Sequence, residues 1–233
     1  MIETVELYGD GIGKVEYVSH MGSDLTVVNS ARVSFGVEKK ELDARDKKLI
    51  KYLIEHKHTS TLEHNVITFR FTVPLFIRSQ HHRHRTWSYN EISRRYTDTD
   101  IQFYNPKLLR TQHKSNRQAS NADMLSDPII DPGDISGGRS ASYFIRSHNM
   151  RSLHTYNKLI NNGICREQAR GVLPQNMYTQ YYGTVNLNNL LKFIDLRSHE
   201  GAQVEIQKVA AACLEIAHKL FPVTVSSYVE LRG

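Results

Sequence analysis

The chain has 233 residues, 39% of them hydrophobic, which is enough to bury one large core. Thirty lysines and arginines against 24 acids leave a formal charge of +6, which favours polyanionic ligands: nucleotides, dinucleotide cofactors or nucleic acid. Two cysteines, Cys165 and Cys213, lack CxxC spacing and so argue against a disulfide framework or a zinc-thiolate site; a reducing cytoplasmic setting is expected. With no apolar run near 18 residues and acids at Glu3 and Glu6, neither a membrane span nor a secretion signal is expected.

Residues 3–8 and 14–19 alternate in strand fashion around Gly9-Asp10-Gly11-Ile12-Gly13, which predicts a hairpin rather than a dinucleotide-binding loop. A short helix is predicted from Asp24 to Arg32 after Ser23. A clearer one runs from Asp43 to Lys57, with Leu49, Ile50, Leu53 and Ile54 as its inward stripe. From Asn65 to Val73, Ile67, Phe69, Phe71 and Val73 alternate with Thr68, Arg70 and Thr72, the period of a half-buried strand. Pro74 ends it and, as a first helical residue, opens a helix through His82.

Thr111 to Gly138 is rich in Ser, Asn, Asp, Pro and Gly, with Asp127-Pro128 and Asp131-Pro132-Gly133-Asp134 as turn signals, and reads as a long loop or lid. Helices are predicted from Ala141 to Asn161, stopped by Gly163, and from Arg166 to Leu173, stopped by Pro174. A strand from Gln175 to Val185 follows. The last helices run from Leu187 to Arg197 and from Gln203 to Leu220, the latter turning Val204, Val209, Cys213, Ile216 and Leu220 inward.

The densest chemistry lies between Arg83 and Arg95, where four arginines, a histidine, Glu91 and two serines share thirteen positions. Guanidinium groups remain charged and match carboxylate or phosphate two points at a time, so such a run calls for an anion. Histidines cluster at His56, His58 and His64 and at His81, His82 and His84, but the second group stands among arginines that would repel a cation, so no metal site is expected. Cys213 falls on an apolar helix face, and Cys165 has an electropositive neighbour in Arg166 but no motif around it, so no cysteine nucleophile is expected. Nucleic-acid binding is the rival reading, with Trp87, Tyr89 and Tyr96 as stacking residues; Glu91, Ser88, Asn90 and Ser93 within the run favour a small, oriented nucleotide instead.

Arg83-His84-Arg85, seven residues, then Ser93 resembles the signature of flavin-dependent thymidylate synthases, and the run extends through Ser88-Tyr89-Asn90-Glu91 to Arg95-Tyr96. Similar blocks are Ala31 to Phe35, His58 with Glu63-His64, Ala169-Arg170 with Leu173-Pro174, Thr184-Val185-Asn186, and Leu196-Arg197 followed by Ala202-Gln203 and Glu205-Ile206. The resemblance implies one α+β domain over residues 1–233, with a central mixed or antiparallel sheet flanked by helices. It implies a homotetramer with sites between subunits, and no nucleic-acid or membrane partner. The reaction implied converts dUMP to dTMP, with FAD as cofactor, methylenetetrahydrofolate as carbon donor and NADPH as reductant.

By the same resemblance Gln80, His81, His82, Arg83, Glu91, Ile92, Ser93, Arg94, Arg95, Arg170 and Arg197 hold dUMP. Ser60, Arg83, His84, Arg85, Glu91, Asn186, Leu187, Asn188 and Lys192 meet FAD. The chain departs from the family pattern at Ser60-Thr61, Asn188 and Lys192. Arg197 is the expected catalytic residue, favouring negative charge on the uracil ring while reduced flavin supplies hydride, in place of a cysteine nucleophile. Ser93 lacks a His-carboxylate relay and is expected to bind rather than attack.

Overall fold

The computed structural model describes residues 4–131, 133 and 137–232, with only the backbone of Ala122, Asp123 and Met124. The expected strand start at Glu3 and the turn residues Pro132 and Asp134 lie outside the described residues. Strands β1 (Thr4–Glu6) and β2 (Lys14–Met21) form the predicted hairpin, in which Asp10 Oδ1 accepts the N–H groups of Ile12 and Gly13. Helices α1 (Asp24–Arg32) and α2 (Ala44–Glu55) follow; Asp43 caps α2 by accepting from Arg45 N and Asp46 N.

Strand β3 (Val66–Pro74) buries Ile67, Phe69, Phe71 and Val73, as its alternation requires. Pro74 is its last residue and also the N-cap of α3 (Leu75–His81), one place earlier than the first-helical position expected. The arginine-rich run then differs from its expected place at a helix end. Only its approach is helical, and Ser88–Glu91 forms β4, paired antiparallel with the strand near the C-terminal end of the sequence.

The segment expected to be a loop also has structure. β5 (Leu109–Gln112) and β6 (Ser120–Ser126) form a hairpin, and β7 (Ile129–Ile130) pairs with β8 (Arg139–Ser140). Its backbone amides need partners whatever its polar composition, and hairpin pairing supplies them. Helix α4 (Ala141–Asn161) has the predicted bounds, while the next helix shortens to α5 (Arg166–Ala169) plus a 3₁₀ turn at Arg170–Val172. Strand β9 (Tyr178–Asn186) leads into α6 (Leu187–Arg197), α7 (Val204–Leu220) and α8 (Pro222–Glu230).

Five strands form one sheet in the order β1-β2-β3-β9-β4, and every pairing is antiparallel, which decides the mixed-or-antiparallel alternative. Buried residues of α1, α2, α6, α7 and α8 join Val15, Phe69, Phe71 and Val185 in a single core. The alternate side chains of the sheet are polar: Thr68 and Thr184 hydrogen bond across β3 and β9 at 2.9 Å, and Arg70 grips Glu16 with two bonds of 2.9 and 2.6 Å. At Gly183 a Cβ would stand 2.8 Å from the Phe71 ring and 3.2 Å from Trp87, so β9 passes the aromatic core only because that side chain is missing.

Helix α8 was not expected from the sequence. Its start is held by buried Asp24, which accepts from Val223 N and Thr224 N at 2.9 Å and from Thr224 Oγ1 at 2.6 Å. The capping carboxylate comes from 200 positions away, and no local pattern reports it. Pro222 at the first turn was the readable half of the signal.

Candidate active site

Helix α3 and strand β4 set the site, because β4 hydrogen bonds to β9 and turns the residues after Glu91 toward α3. A cavity of about 540 Å³ opens there, polar on the side of Arg78, Glu91, Ser93, Arg94 and Arg170 and apolar along Leu75, Leu173 and Met177. This volume suits a nucleotide-sized ligand. Glu91 accepts both the Nε and Nη2 of Arg78 and the Oγ1 of Thr179 (2.7 Å), so its carboxylate is already committed within the chain. Arg78 and Thr179 were not singled out from the sequence; the signal available was Glu91 itself, a carboxylate that needed a nearby cation.

Ser93 Oγ accepts the N–H of Arg95 at 3.3 Å, which leaves its own O–H free to donate. Ile92, beside it, is 41% exposed. Arg94 is largely buried and donates to the carbonyls of Thr99 (2.6 Å) and Asp100 (3.4 Å), while its Nε has no partner. It therefore braces the loop after Glu91 as well as lining the cavity. Arg170 is exposed and lines the cavity, and its side chain makes no hydrogen bond or ion pair among the described residues; Arg95 is exposed and lies against the Tyr96 ring at 5.8 Å.

Gln80, Arg83 and Arg197 do not line that cavity; they gather at the C-terminal ends of α3 and α6. Arg197 Nε donates to His84 Nε2 at 3.0 Å, and its Nη2 donates to the Gln80 carbonyl at 3.3 Å. An acceptor at Nε2 makes His84 a neutral ring with its proton on Nδ1. Consistently, burial first and the Arg197 charge second lower the His84 pKa from 6.5 to about 4. Burial also lowers the pKa of Arg197, yet a guanidinium stays protonated, and Nη1 has no partner among the described residues.

The histidines before Arg83 divide. The His81 side chain, expected at dUMP, is fully buried among Phe71, Trp87 and Phe193, with Nδ1 2.8 Å from the Tyr181 hydroxyl, which leaves its backbone as the part that could meet a ligand. Burial drives its pKa well down. His82 stacks on Tyr89 at 4.1 Å and keeps a buried Nε2 without a protein partner. Trp87 is core, and the Tyr89 ring is stacked on His82 and Trp87 with its hydroxyl on the His81 and His84 carbonyls, so two of the three aromatics of the nucleic-acid rival are not offered to bases.

The residues expected at the flavin lie in two places. Arg83 and Arg85 are exposed in the turn between α3 and β4, and their side chains have no partner among the described residues. Asn188 and Lys192 line a second cavity of about 580 Å³ with Thr59, next to exposed Ser60. Asn186 caps α6 by accepting from Asn189 N, and buried Asn188 donates to Glu63 Oε1 at 2.8 Å. The Leu187 side chain is fully buried in the core, so any contact it makes with a ligand would come from its backbone. Among the described residues no three His, Cys, Asp or Glu side chains are grouped to hold a metal ion.

The family model described as "Thymidylate synthase complementing protein" matches residues 16–223. The chain belongs to this family. Among its relatives, the flavin-dependent thymidylate synthase of Thermotoga neapolitana is 38% identical over 218 residues, covering 94% of this chain and 91% of the relative. That of Thermus thermophilus is also 38% identical, over 94% of this chain and 76% of the relative. Among solved structures, the UMP/dUMP methylase PolB from Streptomyces cacaoi, bound with 5-Br dUMP, superposes with a TM-score of 0.77 at 34% identity, covering 97% of each chain. Membership of a flavin-dependent family fits the donors present: exposed Arg83 and Arg85, whose side chains have no partner among the described residues, suit a diphosphate, and the cavity of Thr59, Asn188 and Lys192, with Ser60 beside it, offers hydroxyl, amide and ammonium groups.

Proposed function

We propose that this chain is a single-domain thymidylate synthase that converts dUMP to dTMP with FAD as cofactor, methylenetetrahydrofolate as carbon donor and NADPH as reductant. The observation that carries the reading is Arg197: a half-buried cation held between neutral His84 and the Gln80 carbonyl, with Nη1 unspent. A donor fixed in place before reaction favours negative charge on a bound uracil and so raises electron density at the carbon to be methylated. Cysteine attack has no support: Cys213 is fully buried with its thiol pKa pushed up by burial, and Cys165 lines neither cavity.

FAD, when bound and reduced by NADPH, would pass the reducing equivalents on as hydride. Arg83, Arg85, Ser60, Asn188 and Lys192 are the residues of this chain that would hold it, with His84 beside Arg197 on its flank. Arg170 and the Ser93 hydroxyl would take the dUMP phosphate or ring, and Ile92 would wall the cavity. Because Gln80, Arg83 and Arg197 lie outside the cavity of Ser93 and Arg170, a complete site draws its two halves from two copies, which favours the homotetramer. Phe35 (83% exposed) and Met150 (72% exposed) offer apolar area for such contacts. We assign a cytoplasmic location from the reaction, whose reductant and folate donor are cytoplasmic metabolites; no described helix is long and apolar enough to cross a membrane.

A visible spectrum of the purified protein tests the reading. Flavin bands bleached by NADPH and perturbed by dUMP, with dTMP formed on adding methylenetetrahydrofolate, are the expected result. A colourless protein that takes up no FAD and binds oligonucleotides instead would overturn it.

A further inference from the structure

Behind Gln80 a chain of polar contacts runs away from the site to a hairpin that the proposed reaction does not otherwise use. Gln80 Nε2 donates to Gln203 Oε1, and Gln203 Nε2 donates to Glu205 Oε2 at 2.9 Å. Glu205, 4% exposed, accepts Arg110 Nη2 on both oxygens at 2.7 and 2.8 Å and the Tyr104 hydroxyl at 3.2 Å. Arg110 belongs to β5, and its Nε donates across the hairpin to Ser120 Oγ on β6 at 2.8 Å.

The direction of these bonds follows from one fact: an ionised carboxylate only accepts. Burial alone would raise the Glu205 pKa, but the hydrogen bonds and charge of Arg110 outweigh it and hold the group below its ordinary value. Gln203 must therefore turn its NH₂ to Glu205 and its Oε1 to Gln80. Gln80 in turn must spend an N–H on Gln203, which leaves its Oε1 facing elsewhere as a free acceptor. Its backbone is fixed too, because its carbonyl receives Arg197 Nη2.

We propose that Gln203, oriented by the Glu205–Arg110 pair, is a positioning residue that sets which way the Gln80 amide faces dUMP, so that the β5–β6 hairpin stabilises substrate binding without touching substrate. This rests on the reading that Gln80 meets dUMP. Without the relay an amide has two orientations of similar energy, and a ligand must select one of them.

The test is a double-mutant cycle on the FAD-loaded enzyme, with the dUMP dissociation constant measured by calorimetry and folding checked by flavin content and melting temperature. Gln80→Ala and Gln203→Met are each expected to weaken dUMP about tenfold, and the double variant no further than the weaker single, because Gln203 acts only through Gln80. Equal weakening by Gln203→Met in the Gln80→Ala background would mean a general structural role and overturn the proposal, as would no effect of Gln203→Met alone. Normal dUMP affinity in Gln80→Ala would overturn the placement of dUMP at Gln80, and the relay with it. Should Gln203→Met fail to fold, Gln203→Asn, which keeps the amide but shortens its reach, enters the same cycle with the same expectations.

Discussion

Arg170 at the Ser93 cavity and Arg197 at the ends of α3 and α6 are held in opposite ways. At the cavity, the exposed Arg170 side chain has no partner among the described residues, while Arg78 is neutralised by Glu91. At the ends of α3 and α6, Arg197 is half-buried and fixed by a neutral ring and a carbonyl, neither of which cancels its charge. A solvated cation waiting for a phosphate contributes affinity, whereas a cation fixed in a partly dry setting acts on charge that develops during reaction. The contrast separates binding from chemistry, and substitutions can break it.

Arg197→Ala carries the largest expected effect. Loss of one preorganised donor costs about 2.7–4 kcal/mol of barrier, so turnover should fall about a hundredfold or more with flavin still bound; near-normal turnover would erase the distinction. Arg170→Ala should instead raise the KM for dUMP by about 10- to 100-fold, from the ~1.5–3 kcal/mol of a charge-assisted hydrogen bond, with kcat little changed. Its melting temperature should stay near that of the parent, since the side chain has no partner to lose.

The pH dependence of stability sharpens the Arg197 side. His84 titrates at about 4 in the folded chain against an ordinary 6.5, so below 6.5 the unfolded chain takes up a proton that the folded one refuses. Stability should therefore be full above pH 6.5 and decline as pH falls from 6.5 toward 4. After discounting for partial exposure, about 1–2 kcal/mol is expected, a few degrees of melting temperature, and buried His81 adds in the same direction. A flat melting profile over that range would contradict the neutral His84 assignment. Ser93→Ala should be the mildest change, about fivefold in dUMP affinity from a neutral hydrogen bond of ~1 kcal/mol, with dTMP still formed; complete loss of dTMP at intact dUMP affinity would make Ser93 more than a binding group.

How much of this was legible in the sequence differs between the two regions. The α3 to β4 run declared itself through arginine density, and Arg170 and Arg197 entered through short matching blocks. The strand character of Ser88–Glu91 did not, because four residues of mixed polarity carry no period and take their conformation from β9. Trp87 read as a stacking residue in a basic run, but one residue before β4 its ring points into the core against Phe193. His81, Leu187 and Trp87 show the same limit: membership of a motif does not say whether a side chain faces ligand or core. The hairpin at 109–126 was hidden by its polar composition, and Arg110 and Glu205, which anchor it, are 95 positions apart.

The sequence by itself determined the secondary elements with strong period or punctuation, such as β3, α4 and α7, and the excess of guanidinium that calls for an anion. Local sterics and burial period act within a few residues, so they can be read without the fold. Only the tertiary structure decided that Glu91 is answered by Arg78, that His84 is neutral under Arg197, and that Gln203 and Glu205 stand behind Gln80. Those outcomes depend on burial and on contacts between residues far apart in the chain, where desolvation and a single nearby charge fix protonation and hydrogen-bond direction.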